Sequence, residues 1–197
     1  PATLNGKPFY TTNAITDFAI EFVDEMLTRK QEGPPASPFL LYVAYNAPHY
    51  PLQAPEKEIA NYKGVYDAGW DELRKQRYLK QVKTGLFPRQ FKLSPRPPHV
   101  PSWESLSAED RKWEARRMEV FAAMVDVVDQ NVGRLVTHLK KRKAWENTLF
   151  LFCSDNGACP FERTRGKDLQ PWDPKSYWCY DVGWAHVGNT PFRLYKQ

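Results

Sequence analysis

The sequence predicts an α/β domain in which amphipathic helices alternate with short buried strands. Two apolar runs, FLLYVAYN at 39–46 and LFLFC at 149–153, are continuous and rich in aromatic and branched side chains, which is typical of strands buried on both faces. Each run follows a segment with helical apolar spacing, and the order helix, strand, helix, strand favours the α/β class. A chain of 197 residues is long enough for one domain with a sizeable core.

Composition and charge narrow the class of protein. Apolar residues make up 42% of the chain and aromatic residues 14%, which excludes a disordered chain. No apolar run approaches the roughly 20 residues that a membrane span needs. The net charge is +5, but the basic residues are dispersed, and the densest group, KKRK at 140–143, is interpreted as the end of a helix. A nucleic-acid partner is therefore not predicted.

The three cysteines, Cys153, Cys159 and Cys179, lack C-x-x-C spacing and are odd in number. A zinc site and a complete disulfide framework are not predicted from them. Cys153 stands within the second apolar run, so the sequence predicts a buried thiol there.

Apolar spacing places the helices. Residues 13–30 carry apolar side chains at helical spacing, and a longer helix begins after Ser107, where Asp110 completes a weak capping box. Residues 47–106 between them are rich in proline and charge, with short helices predicted at 55–61 and 70–84. A long loop of this kind is typical of a binding surface or lid.

Polar side chains follow both predicted strands at their carboxyl ends, where ligands bind in doubly wound sheets. Asp155 and Asn156 offer a carboxylate and an amide oxygen, the hard donors that Ca²⁺ or Mg²⁺ prefers. Read locally, however, Asn-Gly is a common turn dipeptide, and the turn is the favoured interpretation.

Other candidates are isolated side chains. His49 stands among prolines and is either a general acid or a loop histidine packed among aromatic residues. Lys196, near the end of the sequence, looks by itself like a surface lysine. Asp126 and Asp129 form a possible carboxylate pair, although the polar edge of a helix is the favoured interpretation.

Five blocks, taken in order, point to a family. They are PFLLYVAYNAPHYPLQAP, YDAGWDELRKQRY, KWEARRMEVFAAMVDVVDQNVGRL, NTLFLFCSDNGA and NTPFRLYK, and together they resemble the type I sulfatases. The resemblance is to the bacterial arylsulfatase branch of the alkaline-phosphatase-like superfamily. It implies a mixed, largely parallel sheet sandwiched by helices, incomplete in this chain.

The resemblance also implies roles for four residues. Asp155 and Asn156 correspond to Ca²⁺ ligands of the family, His49 to the histidine that contacts sulfate and assists the leaving group, and Lys196 to a lysine that contacts sulfate oxygens. The family nucleophile is a formylglycine made from Cys or Ser in a C/S-x-P-x-R motif. Its precursor could therefore be either residue.

These residues depart from the family at the nucleophile. The sequence contains no C/S-x-P-x-R motif; Cys159 and Arg163 have the outer spacing, but Pro160 comes one position early. We therefore expect residues 1–197 to be the central part of a sulfatase catalytic domain, with 47–106 as its substrate-side region. The chain alone is expected to be inactive without the missing portions of its own domain.

The expected function is Ca²⁺-dependent hydrolysis of small-molecule or carbohydrate sulfate monoesters. Two alternatives stay open: a phosphomonoesterase or phosphodiesterase of the same superfamily, and a non-catalytic module that binds sulfated glycans. At the level of the family, the expected compartment is the periplasm or the exterior.

Overall fold

The computed structural model of the chain describes residues 3–4, 6–29 and 38–196. The chain forms two compact units, which we call the first unit (Pro1–Pro48 and Val125–Phe152) and the second unit (His49–Met124 and Cys153–Gln197). The candidate site residues His49, Asp155, Asn156 and Lys196 all belong to the second unit.

Helices dominate the described residues. In chain order the elements are β1 (Thr3–Leu4), β2 (Lys7–Pro8), α1 (Thr11–Arg29), α2 (Glu56–Ala60), α3 (Gly69–Lys83), α4 (Ala108–Lys141) and α5 (Val182–Gly188), with short 3-10 turns at Trp103–Ser105 and Trp145–Asn147. The helices predicted at 13–30, at 55–61, at 70–84 and after Ser107 are confirmed, while α5 was not predicted. None of the described helices combines the length and the apolar composition that crossing a membrane requires.

The start of α4 follows the predicted capping box. Ser107 Oγ accepts a 3.0 Å hydrogen bond from the Asp110 amide and donates one of 2.7 Å to Asp110 Oδ2. This pair satisfies an amide at the end of the helix that has no partner within the helix. Residues 108–124 of α4 belong to the second unit and residues 125–141 to the first.

The core of the first unit lies between α1 and the second half of α4. Ala19 and Val23 of α1 and Leu135 and Leu139 of α4 are buried together. Leu41, Val43 and Phe150 are partly buried hydrophobic residues that pack against this cluster. Both predicted strand segments, 39–46 and 149–153, therefore contribute side chains to the first unit's core. Cys153, the last residue of the second segment, belongs to the second unit.

The predicted sheet is not present in the described part of the chain. The two-residue pair β1–β2 is its one sheet, and neither 39–46 nor 149–153 is assigned as strand. Exposure nevertheless alternates along 39–46: Leu40 is 94% exposed and Tyr42 88%, whereas Leu41 and Val43 are partly buried. This period of two is that of an extended chain, which becomes a strand only when a neighbour pairs with it.

The prediction of a buried Cys153 is wrong, because its thiol is exposed. The prediction assumed that the apolar run would be covered on both faces. In the structure Leu151 is 81% exposed and Phe152 71%, so Cys153 ends a segment covered on one face at most.

A tryptophan cluster forms the core of the second unit. Trp70 of α3, Trp103 and Trp184 of α5 are buried and meet edge to face, with ring centroids 4.9 to 5.8 Å apart. Gly69 adopts a φ of +74°, and a Cβ atom there would lie 2.1 Å from the Trp103 ring. Region 47–106 thus supplies much of this core through α3, which was predicted as a helix, and through Trp103.

Candidate functional site

Asp155 and Asn156 lie in an exposed turn at the start of the second unit's final segment. Ser154 Oγ donates a 2.7 Å hydrogen bond to the Asn156 carbonyl and closes the turn. Among the described residues, the Asp155 carboxylate has no ion pair and no hydrogen bond. Its oxygens are therefore free of competing side chains and available to a cation.

The structure brings the backbone of Lys196 beside this turn. The Lys196 amide donates a 2.9 Å hydrogen bond to the Ala158 carbonyl. A Cβ atom placed on Gly157 would lie 3.4 Å from the Lys196 nitrogen. Because Gly157 and Ala158 directly follow Asp155 and Asn156, the predicted cationic residue and the predicted metal ligands share one corner of the second unit.

A tight turn delivers Lys196 to that corner. Leu194 has a φ of +66°, the left-handed conformation that a branched side chain adopts rarely. Asn189 Nδ2 donates to the carbonyls of Arg193 and Leu194, at 3.1 and 2.5 Å, and holds this conformation. Tyr195 Oη contacts His99 Nε2 at 2.5 Å, which ties the same turn to the 84–102 loop.

His49 is exposed and is anchored through its neighbour Tyr50. His49 Nδ1 lies 2.7 Å from the Tyr50 carbonyl oxygen, and the two rings stack with centroids 4.5 Å apart. Since a carbonyl oxygen can only accept, Nδ1 carries the proton, and Nε2 is left to exchange a proton with a ligand. Arg163 donates a 2.7 Å hydrogen bond to Tyr50 Oη and thereby holds the Tyr50 ring on which His49 stacks.

The sequence-predicted residues are therefore only partly assembled. Lys196 meets the turn of Asp155 and Asn156 through its backbone, whereas His49 is fixed by Tyr50 and Arg163. No three His, Cys, Asp or Glu side chains among the described residues form a metal-binding group. Asp126 accepts from Gln130 on the same helix face, as expected for a polar helix edge.

Two buried polar residues of the second unit were not selected as candidates from the sequence. Arg74 of α3 and His186 of α5 are 4% and 1% exposed, and the Arg74 guanidinium donates to the His186 carbonyl. Burial lowers the pKa of Arg74 to about 10, so the side chain stays cationic at neutral pH. Burial, and then the charge of Arg74, lowers the pKa of His186 to about 4. Arg74 belongs to the block YDAGWDELRKQRY at residues 66–78, but helical spacing alone does not distinguish it from its charged neighbours.

The known proteins that this chain resembles are sulfatases. A profile of the sulfatase family matches residues 2–197. An uncharacterized sulfatase of Schizosaccharomyces pombe is 39% identical over 207 residues, covering 96% of this chain and 36% of that protein. An arylsulfatase of Klebsiella aerogenes is 32% identical over 179 residues, covering 83% of this chain and 38% of that protein. The chain thus spans little more than a third of the length of these two relatives.

One of the solved structures that match this chain is also similar to it in sequence. It is described as the crystal structure of Ps i-CgsB in complex with k-i-k-neocarrahexaose, and its chain is 30% identical to this one. The match covers 78% of this chain and 23% of that chain, with a TM-score of 0.42.

Proposed function

Because this chain belongs to the sulfatase family, we propose that the intact gene product hydrolyses sulfate esters. The reaction converts R–O–SO₃⁻ and water into the alcohol R–OH and hydrogen sulfate. The S–O bond to the ester oxygen breaks, and a water-derived oxygen takes its place on sulfur. The observation that carries the proposal is the family match over residues 2–197, supported by the approach of Lys196 to the turn of Asp155 and Asn156.

Two side chains of this chain have the chemistry that the reaction needs. Nε2 of His49, when protonated, can donate its proton to the departing ester oxygen, because Nδ1 is held by the Tyr50 carbonyl. The Lys196 ammonium can bind a sulfate oxygen and offset the charge that develops in the transition state.

Asp155 and Asn156 would hold a calcium ion. Their oxygens have the donor chemistry that Ca²⁺ prefers, and both side chains are exposed at the same turn. Since calcium takes six to eight oxygens, ligands beyond these two would have to complete the site. When bound, the ion would supply positive charge next to the sulfate group.

The sheet implied by the family is part of the proposal. Residues 39–46 direct alternate side chains to the first unit's core, and residues 149–153 direct one side chain, Phe150, to it. In the described part of the chain, the backbone of neither segment pairs with a neighbouring strand. In a complete catalytic domain they would be neighbouring members of a larger, mostly parallel sheet. His49 and Asp155 would then follow the carboxyl ends of two strands, where α/β sheets bind ligands.

The test uses the intact gene product and the variant Asp155→Ala. We expect a loss of Ca²⁺ affinity of at least about tenfold by calorimetry, and loss of aryl sulfate hydrolysis, because Ca²⁺ affinity depends on the number of charged ligands and one is removed. Asp129→Ala changes an exposed carboxylate of the first unit and should alter neither quantity. Unchanged affinity and activity in Asp155→Ala would falsify the metal assignment.

Substrate comparison separates the competing functions. Aryl sulfate and aryl phosphate are offered to the same preparation at equal concentration. Faster hydrolysis of the phosphate would identify a phosphatase of the same superfamily instead. Binding of a sulfated oligosaccharide without turnover of either ester would identify a non-catalytic module.

A further inference from the structure

Arg74 makes more hydrogen bonds than an arginine needs for packing alone. One terminal nitrogen donates to the His186 carbonyl and to Thr190 Oγ1, at 2.5 and 3.0 Å. The other donates to the carbonyls of Pro191 and Phe192, at 3.2 and 2.9 Å, and to Ser94 Oγ at 2.7 Å. The planar fork of arginine is the one side chain that can serve so many acceptors in one plane.

The acceptors of Arg74 belong almost entirely to the segment that leads to Lys196. Gln81, seven residues further along α3, adds a 3.0 Å bond from Nε2 to the Thr190 carbonyl. Residues seven apart lie on one face of a helix, so α3 presents a row of donors to this segment. The 186–192 backbone is thus fixed from one side by a single helix.

Further hydrogen bonds connect the fixed 186–192 backbone to Lys196 at the candidate site. Asn189 bonds the carbonyls of Arg193 and Leu194, and the left-handed Leu194 redirects the backbone. The Lys196 amide then reaches the Ala158 carbonyl. Each link is a hydrogen bond or a neighbouring peptide, and all of them lie within the second unit.

We propose that Arg74 is a positioning residue, which fixes the 186–194 backbone and thereby sets where Lys196 stands beside Asp155 and Asn156. The part of this inference that concerns catalysis rests on the proposed sulfatase function, whereas the positioning itself does not. Arg74 touches neither substrate nor metal in this scheme; it acts through the backbone that carries Lys196. A small displacement of a binding group can cost about a hundredfold in rate, so the kinetic effect should be large.

The first measurement is amide hydrogen exchange, which needs no activity. In Arg74→Lys, which keeps the charge but loses the fork, residues 189–196 should exchange at least about tenfold faster than in the wild type. Exchange in the second half of α4, which belongs to the first unit, should stay unchanged. Arg77→Lys, the same substitution at an exposed position of α3, serves as the matched control.

A second variant covers the case in which Arg74→Lys fails to fold. Gln81→Met removes one bond to the Thr190 carbonyl and leaves the Arg74 fork in place. Faster exchange over 189–196 in Gln81→Met is expected there too, but by a smaller factor. Wild-type exchange of this segment in both variants, or in the one that folds, would overturn the proposal.

The second measurement is a double-mutant cycle on aryl sulfate hydrolysis in the intact gene product. Arg74→Lys alone should lower kcat/KM by about ten- to a hundredfold, and by less than threefold when Lys196→Ala is already present. An equal loss in both backgrounds would show that Arg74 does not act through Lys196. If Lys196→Ala alone has no effect, the proposed role of Lys196 fails, while the exchange result still decides the positioning.

Discussion

Gly183 of α5 lies so close to Trp70 of α3 that a Cβ atom on it would be 2.5 Å from the indole ring. Trp70 is 1% exposed and is held by the Trp103 and Trp184 rings and by a 3.0 Å bond from Nε1 to the Pro101 carbonyl. The ring has no room to move away. The contact sets how closely α5 approaches α3, and therefore where the segment leading to Lys196 begins.

Gly183→Ala should consequently destabilise the protein, although alanine is the better helix former. Overpacking a rigid core costs about 1–3 kcal/mol, which exceeds the gain of up to about 1 kcal/mol in helix propensity. Urea unfolding followed by tryptophan fluorescence reports on this cluster directly. A free energy of unfolding above the wild-type value would contradict the assignment of the contact.

Gly133→Ala is the matched control. Gly133 also lies inside a helix, but nothing stands within 4 Å of its added Cβ. At this position only the higher helix propensity of alanine acts, because the added Cβ meets no neighbour. The variant should therefore be more stable than the wild type by about 0.5–1 kcal/mol. Equal effects at positions 133 and 183 would mean that the Trp70 contact does not matter.

Acid should destabilise the second unit through His186. Its pKa falls from 6.5 in the unfolded chain to about 4 in the native state, because burial and the charge of Arg74 disfavour the proton. Above pH 6.5 both states are neutral and nothing is lost. Between pH 6.5 and 4, His186 binds a proton in the unfolded chain but not in the native state. The free energy of unfolding therefore drops by about 2–3 kcal/mol over this range.

The variant His186→Leu isolates that contribution. Neither ring nitrogen of His186 has a hydrogen-bond partner in the described structure, so leucine loses no bond there, and the backbone carbonyl still receives Arg74. The pH dependence of unfolding should become flatter than in the wild type between pH 4 and 6.5. A slope in His186→Leu as steep as that of the wild type would refute the assignment.

His49→Ala should also reveal what His49 does in hydrolysis by the intact gene product. Proton donation to the leaving oxygen is worth about 10²- to 10⁴-fold when the alcohol is a poor leaving group. An activated aryl sulfate needs little protonation, so its loss should be under about tenfold. The comparison is kcat/KM for both ester types, with His138→Ala in the first unit as control. Equal losses for the two esters would rule out a leaving-group acid.

Helices were predictable because their signals are local. The apolar spacing of α1 and the Ser107–Asp110 pair at the start of α4 depend on residues within one or two turns. The segments 39–46 and 149–153 show what local sequence cannot predict. A strand forms only when its backbone pairs with a neighbouring strand, and an apolar run says nothing about whether that neighbour is present. Family resemblance, rather than local sequence, selected Asp155 and Asn156 over an ordinary turn, and their metal role remains a prediction.

The approach of Lys196 to Ala158 could not be predicted from spacing. Thirty-eight positions separate these two residues, and their meeting depends on Arg74, Asn189 and a left-handed leucine. Of these three residues, Leu194 has an unusual backbone conformation, with a φ of +66°, and a leucine at this position does not predict it. Long-range polar contacts of this kind belong to the tertiary structure alone.

The alternating exposure of 39–46 has a practical consequence for anyone producing this chain. Leu40 and Tyr42, with Leu149 and Leu151, present apolar side chains to solvent beside a backbone that has no assigned strand partner. Such edges are templates for pairing with identical copies. At high concentration the chain expressed alone should therefore form insoluble aggregates, and charged substitutions at Leu40 and Leu149 are the changes most suited to keep it in solution.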